Sequence, residues 1–121
     1  MGDRERGSVS VVTAGTLFLA GVLALVAVDL LRTLQAQAAA QTAADAAALA
    51  AAQELAIPSG TWTPTEAARS YAERNGGALV ECRCDPGTQE AVVEVLVPVR
   101  LVFVGPDRTV SSWARAVVGS P

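Results

Sequence analysis

The residues best suited to covalent chemistry are the two cysteines of Cys82-Arg83-Cys84, the only ones in the chain. On one strand, residues two apart share a face, and their Cα atoms stand about 6.6 Å apart at about 3.3 Å per residue, near the upper limit for a disulfide. A bond between them therefore needs a bulge or a turn. The alternatives are two small apolar residues in a sheet core, a bond to another chain, or part of a metal site, although two thiolates make only half of a tetrahedral zinc set. Ser70, Ser111 and Ser112 are the hydroxyl nucleophiles at hand. With no histidine and no lysine in the chain, a base would have to come from Asp107 or a glutamate. No catalytic, cofactor-binding or metal-binding constellation emerges, which argues against an enzyme. Trp62, Tyr71 and Trp113 could stack a ligand, but in so small a domain aromatics are expected to fill the core.

Composition narrows the classes further. All nine basic residues are arginine, against twelve acids, for a net charge of -3, and the arginines are scattered. That excludes nucleic acid as a partner, since its phosphates call for a concentrated basic footprint. Arginine without lysine in an Ala, Val and Gly background also reflects GC-rich coding.

The elements that would carry these residues begin with an apolar run. Residues 9–28, VSVVTAGTLFLAGVLALVAV, are twenty residues without a charge; as a helix at about 1.5 Å per residue they span the ~30 Å core of a bilayer. A single pass is expected, with the N-terminus cytoplasmic because Arg4 and Arg6 weigh more than the neighbouring acids. The other reading is a secretory signal cut near Ala36-Gln37-Ala38, but the apolar run is long for one. From Asp29 to Leu55 there is no proline or glycine and alanine dominates, so the helix should continue for 47 residues from Val9. Asp29, Thr33, Gln37, Gln41 and Asp45 recur every four residues and predict a water-facing ridge, with small-residue packing at Ala39, Ala43, Ala46, Ala47 and Ala50 on the other side. A plain low-complexity spacer helix is the competing reading.

Pro58 and Gly60 break the helix. A second, short helix follows from Pro64 to Asn75, capped by Thr63 with Glu66 in capping-box position and stopped by Gly76-Gly77, with Ala68, Tyr71 and Ala72 on its buried side. The remainder alternates as strands. ALVECRCD groups Ala78, Val80, Cys82 and Cys84 on one face, and QEAVVEVLV groups Ala91, Val93, Val95 and Val97. Pro98 predicts an edge or bulge before VRLVFV continues, and RTVSSWARAVV is the last strand. The expected fold is α+β: a long transmembrane helix extending out of the membrane, a short helix, and an antiparallel meander of three strands, or four, packed on the long helix. The expected organisation is a leader at 1–8, a membrane helix at 9–28, an Ala-rich extension at 29–56 and a small extracytoplasmic domain at 57–121.

A short charged leader ending in glycine, an apolar stretch running into a longer helix, and a small meander together resemble a type IV pilin or pseudopilin. More closely, TAADAAALAAA (residues 42–52) after RTLQAQ resembles the post-membrane motif of the TadE/TadG-like proteins, minor pilin-like components of tight-adherence (Flp) pilus systems. The resemblance implies a membrane-held subunit whose partners are the lipid bilayer and other pilin-like subunits or platform proteins of the pilus or secretion system. It also implies trimming by a prepilin peptidase between Gly7 and Ser8. Pilins usually carry glutamate at the fifth mature residue, where this chain has Val12, so an accessory subunit fits better than a major pilin. The alternative function is a signal-anchored extracytoplasmic ligand-binding or envelope-attachment module.

Overall fold

The computed structural model describes residues 2–103 and 105–119, with side chains from Glu5 onward. Met1, Val104, Ser120 and Pro121, together with the side chains of Asp3 and Arg4 from the leader, lie outside the described residues.

Helix α1 runs without a break from Gly2 to Ala56. At 1.5 Å per residue it is about 80 Å long. Its alanine-rich second half has the highest helix propensity available, and it ends where Pro58 withholds a donor and Gly60 turns with φ 76°. Glu54 fixes this exit, its carboxylate accepting the N–H and the hydroxyl of Ser59 at 3.0 and 2.9 Å.

Helix α2 spans Pro64–Arg74. Thr63 and Glu66 close the expected capping box: the Glu66 N–H donates to the Thr63 hydroxyl at 3.2 Å, and the Thr63 N–H donates to Glu66 Oε2 at 2.9 Å. At the other end Gly76, at φ 79°, lets Gly77 N–H reach back to the Ala72 carbonyl at 2.9 Å, closing a Schellman turn. Ala67, Ala68 and Ala72 are the buried positions, while Tyr71 is left 39% exposed. The expected Ala68–Tyr71–Ala72 face thus shifts toward Ala67, because only methyl-sized side chains fit against α1.

Strands β1 (Ala78–Arg83), β2 (Glu90–Val99) and β3 (Arg108–Val117) form one antiparallel meander in the order β1-β2-β3. The α+β architecture expected from the sequence is the one observed. Along β2 burial alternates strictly, with Ala91, Val93, Val95, Val97 and Val99 turned to the helices. The main core joins Val93 and Val95 to Ala43, Ala44, Ala47, Ala48 and Ala51 of α1 and to Ala68 and Ala72 of α2. A smaller cluster joins Val97 and Val99 to Ala36 and Ala40. The Val99 end of the sheet therefore lies toward the apolar half of α1. Packing is so close that a Cβ on Gly77 would run into Val95 Cγ1 and come within 3.2 Å of Ala43 Cβ.

Three expectations are corrected, and the one for Pro98 is narrowed to one of its two alternatives. A bulge between Leu79 and Glu81 reverses the phase of β1, so Leu79 points inward with Cys82 while Val80 is exposed. Of the edge or bulge expected at Pro98, the edge is what is found: it pairs opposite Thr109 in regular register, beyond the point where β1 pairing stops at Leu96, so β2 is itself an edge on that side. The strand does not continue through VRLVFV but stops at Val99. The aromatics do not fill the core; Trp62, Tyr71 and Trp113 are exposed, and the interior is alanine and valine.

Candidate functional site

The chain's chemistry-bearing residues fall on α1 and on what touches it. The first half of the helix includes an eighteen-residue window of mean hydropathy 2.4 with none of it buried, long and apolar enough to cross a membrane. Its two threonine hydroxyls are satisfied within the helix: Thr13 and Thr16 donate to the carbonyls of Val9 and Val12 at 2.8 and 2.9 Å. That is the arrangement a helix needs where no water is available. Gly7 and Ser8 lie in the first turns, exposed and helical.

The polar ridge beyond this half is not a uniformly wet face. Steps of four residues turn an α-helix by about 400°, so the ridge drifts about 40° per step. It starts under the sheet and ends in solvent. Asp29 is only 3% exposed, and its carboxylate accepts the N–H groups of Val102 at 2.8 Å and Phe103 at 2.7 Å. These bonds hold the β2–β3 loop against the helix in place of a ladder, which is why the strand ends before it. Thr33 is partly buried one turn on, and Gln37 lines the space beneath β3. Gln41 accepts from Ser112 of β3 and donates to Asp45 at 2.8 Å, and Asp45 is fully on the outside. Between α1 and β3 this ridge borders a cleft of about 570 Å³, walled by Val26, Leu30 and Val99 and rimmed by Arg108.

The five alanines singled out for packing divide between two surfaces. Ala43, Ala47 and Ala50 are buried by the chain's own sheet and short helix, whereas Ala39 and Ala46 sit partly exposed on the flank. A further face of α1 is turned away from the sheet. It carries Leu31, Leu34, Ala38, Thr42, Asp45 and Leu49, all exposed, at steps of three and four. Leu31, Leu34 and Leu49 remain 58%, 52% and 57% accessible.

Cys82 and Cys84 are joined in a disulfide, with Cα atoms 5.4 Å apart. Cys84 lies one residue past the end of β1, where the chain leaves the extended form that would have held the two near the upper limit for a bond. The bond caps the end of the core near Ala91, with Cys84 fully enclosed. The serines are dispersed: Ser70 on α2, Ser111 and Ser112 on β3 with Ser112 tied to Gln41. Among the described residues no three of Cys, Asp and Glu come together as a metal site. Arg74 lies over Tyr71 and Trp62 at 5.2 and 6.0 Å from the ring centres, a surface cation–π stack at the distal end of the domain.

This arrangement separates three surfaces on one helix: a free apolar half, a sheet-covered alanine face, and an open face beside it. No curated protein matches the chain, and no solved structure matches it. Residues 7–54, nearly all of α1, match the family model described as putative Flp pilus-assembly TadE/G-like, so that the chain carries a TadE/G-like segment along this helix.

Proposed function

We propose that this protein is a membrane-anchored, minor pilin- or pseudopilin-like component of a Tad (Flp) type pilus or related secretion system, with a structural or assembly role and no catalysis. Its N-terminus is cytoplasmic, residues 9–28 cross the membrane once, and the α+β domain stands on the extracytoplasmic side. The observation that carries this reading is the coincidence of the TadE/G-like match with one unbroken helix. That helix is uncovered and apolar at one end and leaves the Leu31–Leu34–Leu49 face open at the other. An open, mostly small or aliphatic helical face beside a membrane span is what helix-on-helix association with neighbouring subunits requires.

The test is intact mass with N-terminal sequencing of the protein recovered from membranes of its native host, combined with cross-linking from cysteines placed at Leu34 and Leu49. A start at Ser8, or an untrimmed chain retained in the membrane, with cross-links to pilin-like or platform subunits, is the expected result. A start near Ala39 would overturn the reading. Such a cut removes Ala36 from beneath Val97 and Val99 and releases the domain from the membrane.

A further inference from the structure

We propose that the β2–β3 loop is a second membrane contact, in which Val102 and Phe103 enter the lipid interface and Arg32, Arg100 and Arg108 meet phospholipid headgroups. The inference rests on the single-pass reading above and adds a contact to it. The uncharged run of residues 9–28 ends at Asp29, so if it spans the bilayer Asp29 stands at the boundary of the hydrocarbon. The loop cannot sit elsewhere along the membrane normal, because both oxygens of that carboxylate hold its backbone at 2.8 and 2.7 Å. Satisfying those two N–H groups internally also removes a cost of placing the loop against lipid.

The side chains fit the same depth. Val102 and Phe103 are 55% and 50% exposed, beside a helix surface where Val26, Val28 and Leu30 are exposed as well. Apolar surface therefore continues from the span onto the loop. Aromatic rings favour this interfacial zone, and arginine pairs with phosphate through its planar fork. Arg100 and Arg108 stand exposed at the two ends of the loop, and the Arg32 guanidinium donates to the Arg100 carbonyl at 3.2 Å. Asp107 within the loop and Asp29 beneath it are the acids at this site, against which three arginines still leave a positive margin. A foot of this kind would fix the rotation of the domain about its span and so aim the open α1 face at a neighbour in the membrane plane.

The test uses the full chain reconstituted in phosphatidylcholine vesicles, with or without phosphatidylglycerol, containing lipids brominated at a shallow acyl position. Fluorescence is read from single-tryptophan variants: Phe103→Trp or Val102→Trp with Trp62→Phe and Trp113→Phe, Phe18→Trp in the same background as a marker of insertion, and native Trp62 alone as a marker of the distal end. From Asp29 to Ala56 the helix carries Trp62 about 40 Å away from the loop. The expected result is quenching at 102 and 103 several-fold stronger than at Trp62. Phosphatidylglycerol should increase it further, with the increase lost in Arg100→Gln/Arg108→Gln. Quenching at 102 and 103 no stronger than at Trp62, with Phe18→Trp quenched, overturns the loop contact and leaves the anchor standing. Absence of quenching at Phe18→Trp as well overturns both.

Discussion

Asp29 shows how one side chain can set the end of a strand. Once its carboxylate has taken the N–H groups of Val102 and Phe103, the chain leaves the β2 ladder at Val99 and turns back along α1. Asp29→Ala would strand both donors against a half-buried surface, a loss of about 1–3 kcal/mol. Asp29→Asn keeps one acceptor oxygen and should lose less. Thermal unfolding of the detergent-solubilised chain, with amide exchange at 102 and 103, checks this; unchanged exchange in Asp29→Ala would refute the tie. The sequence marks Asp29 only as the first charge after the apolar run and the first member of a four-residue series. Its partners lie 73 and 74 residues on, a separation that no local pattern reveals. The cysteines were legible to the extent that geometry allowed: an extended strand would hold them near the upper limit for a bond, and leaving the strand at Arg83 brings them to 5.4 Å.

At the level of elements, the signals that succeeded are those whose physics is local. The Thr63–Glu66 box, the Gly76-Gly77 stop and the alternation of β2 each follow from a few neighbouring residues and are present as expected. The signals that misled are those decided by tertiary contact. The β1 bulge reverses an alternation that looks regular in sequence, and the polar ridge, drifting about 40° per step, is carried by about half a turn from a buried Asp29 to an exposed Asp45. The capping box also gives α2 a pH dependence. The Thr63 N–H, and then the Thr63 hydroxyl, hold the Glu66 carboxyl below its ordinary pKa of 4.5. A depressed carboxylate contributes stability that is fully present above its unfolded pKa and is lost as pH falls through the lower, folded value. The Thr63 amide proton resonance should accordingly titrate with a midpoint below the usual glutamate range and stop titrating in Glu66→Gln. A midpoint at or above 4.5 would contradict the box as the cause.

For the molecule as a whole, α1 carries both the apolar run long enough to cross a membrane and one wall of the domain, so the two are not separable at the Pro58 break. The helical wall is alanine because the sheet and α2 approach it too closely for anything larger, as Gly77 against Ala43 shows. That also explains why a segment with the look of biased composition has a packing role. Val93, Val95, Val97 and Val99 all lie buried toward that wall. At about 1.5 kcal/mol or more for each buried valine, removing the cover forfeits on the order of 6 kcal/mol. A small domain has about 5–15 kcal/mol in total. A fragment of residues 57–121 should therefore lack a cooperative unfolding transition and disperse poorly in amide NMR spectra, whereas residues 29–121, which keep both alanine clusters and the Asp29 tie, should unfold cooperatively. Equal cooperativity in the two fragments would mean that the sheet and α2 hold themselves together, and that the alanine face of α1 is free for other chains rather than taken by its own.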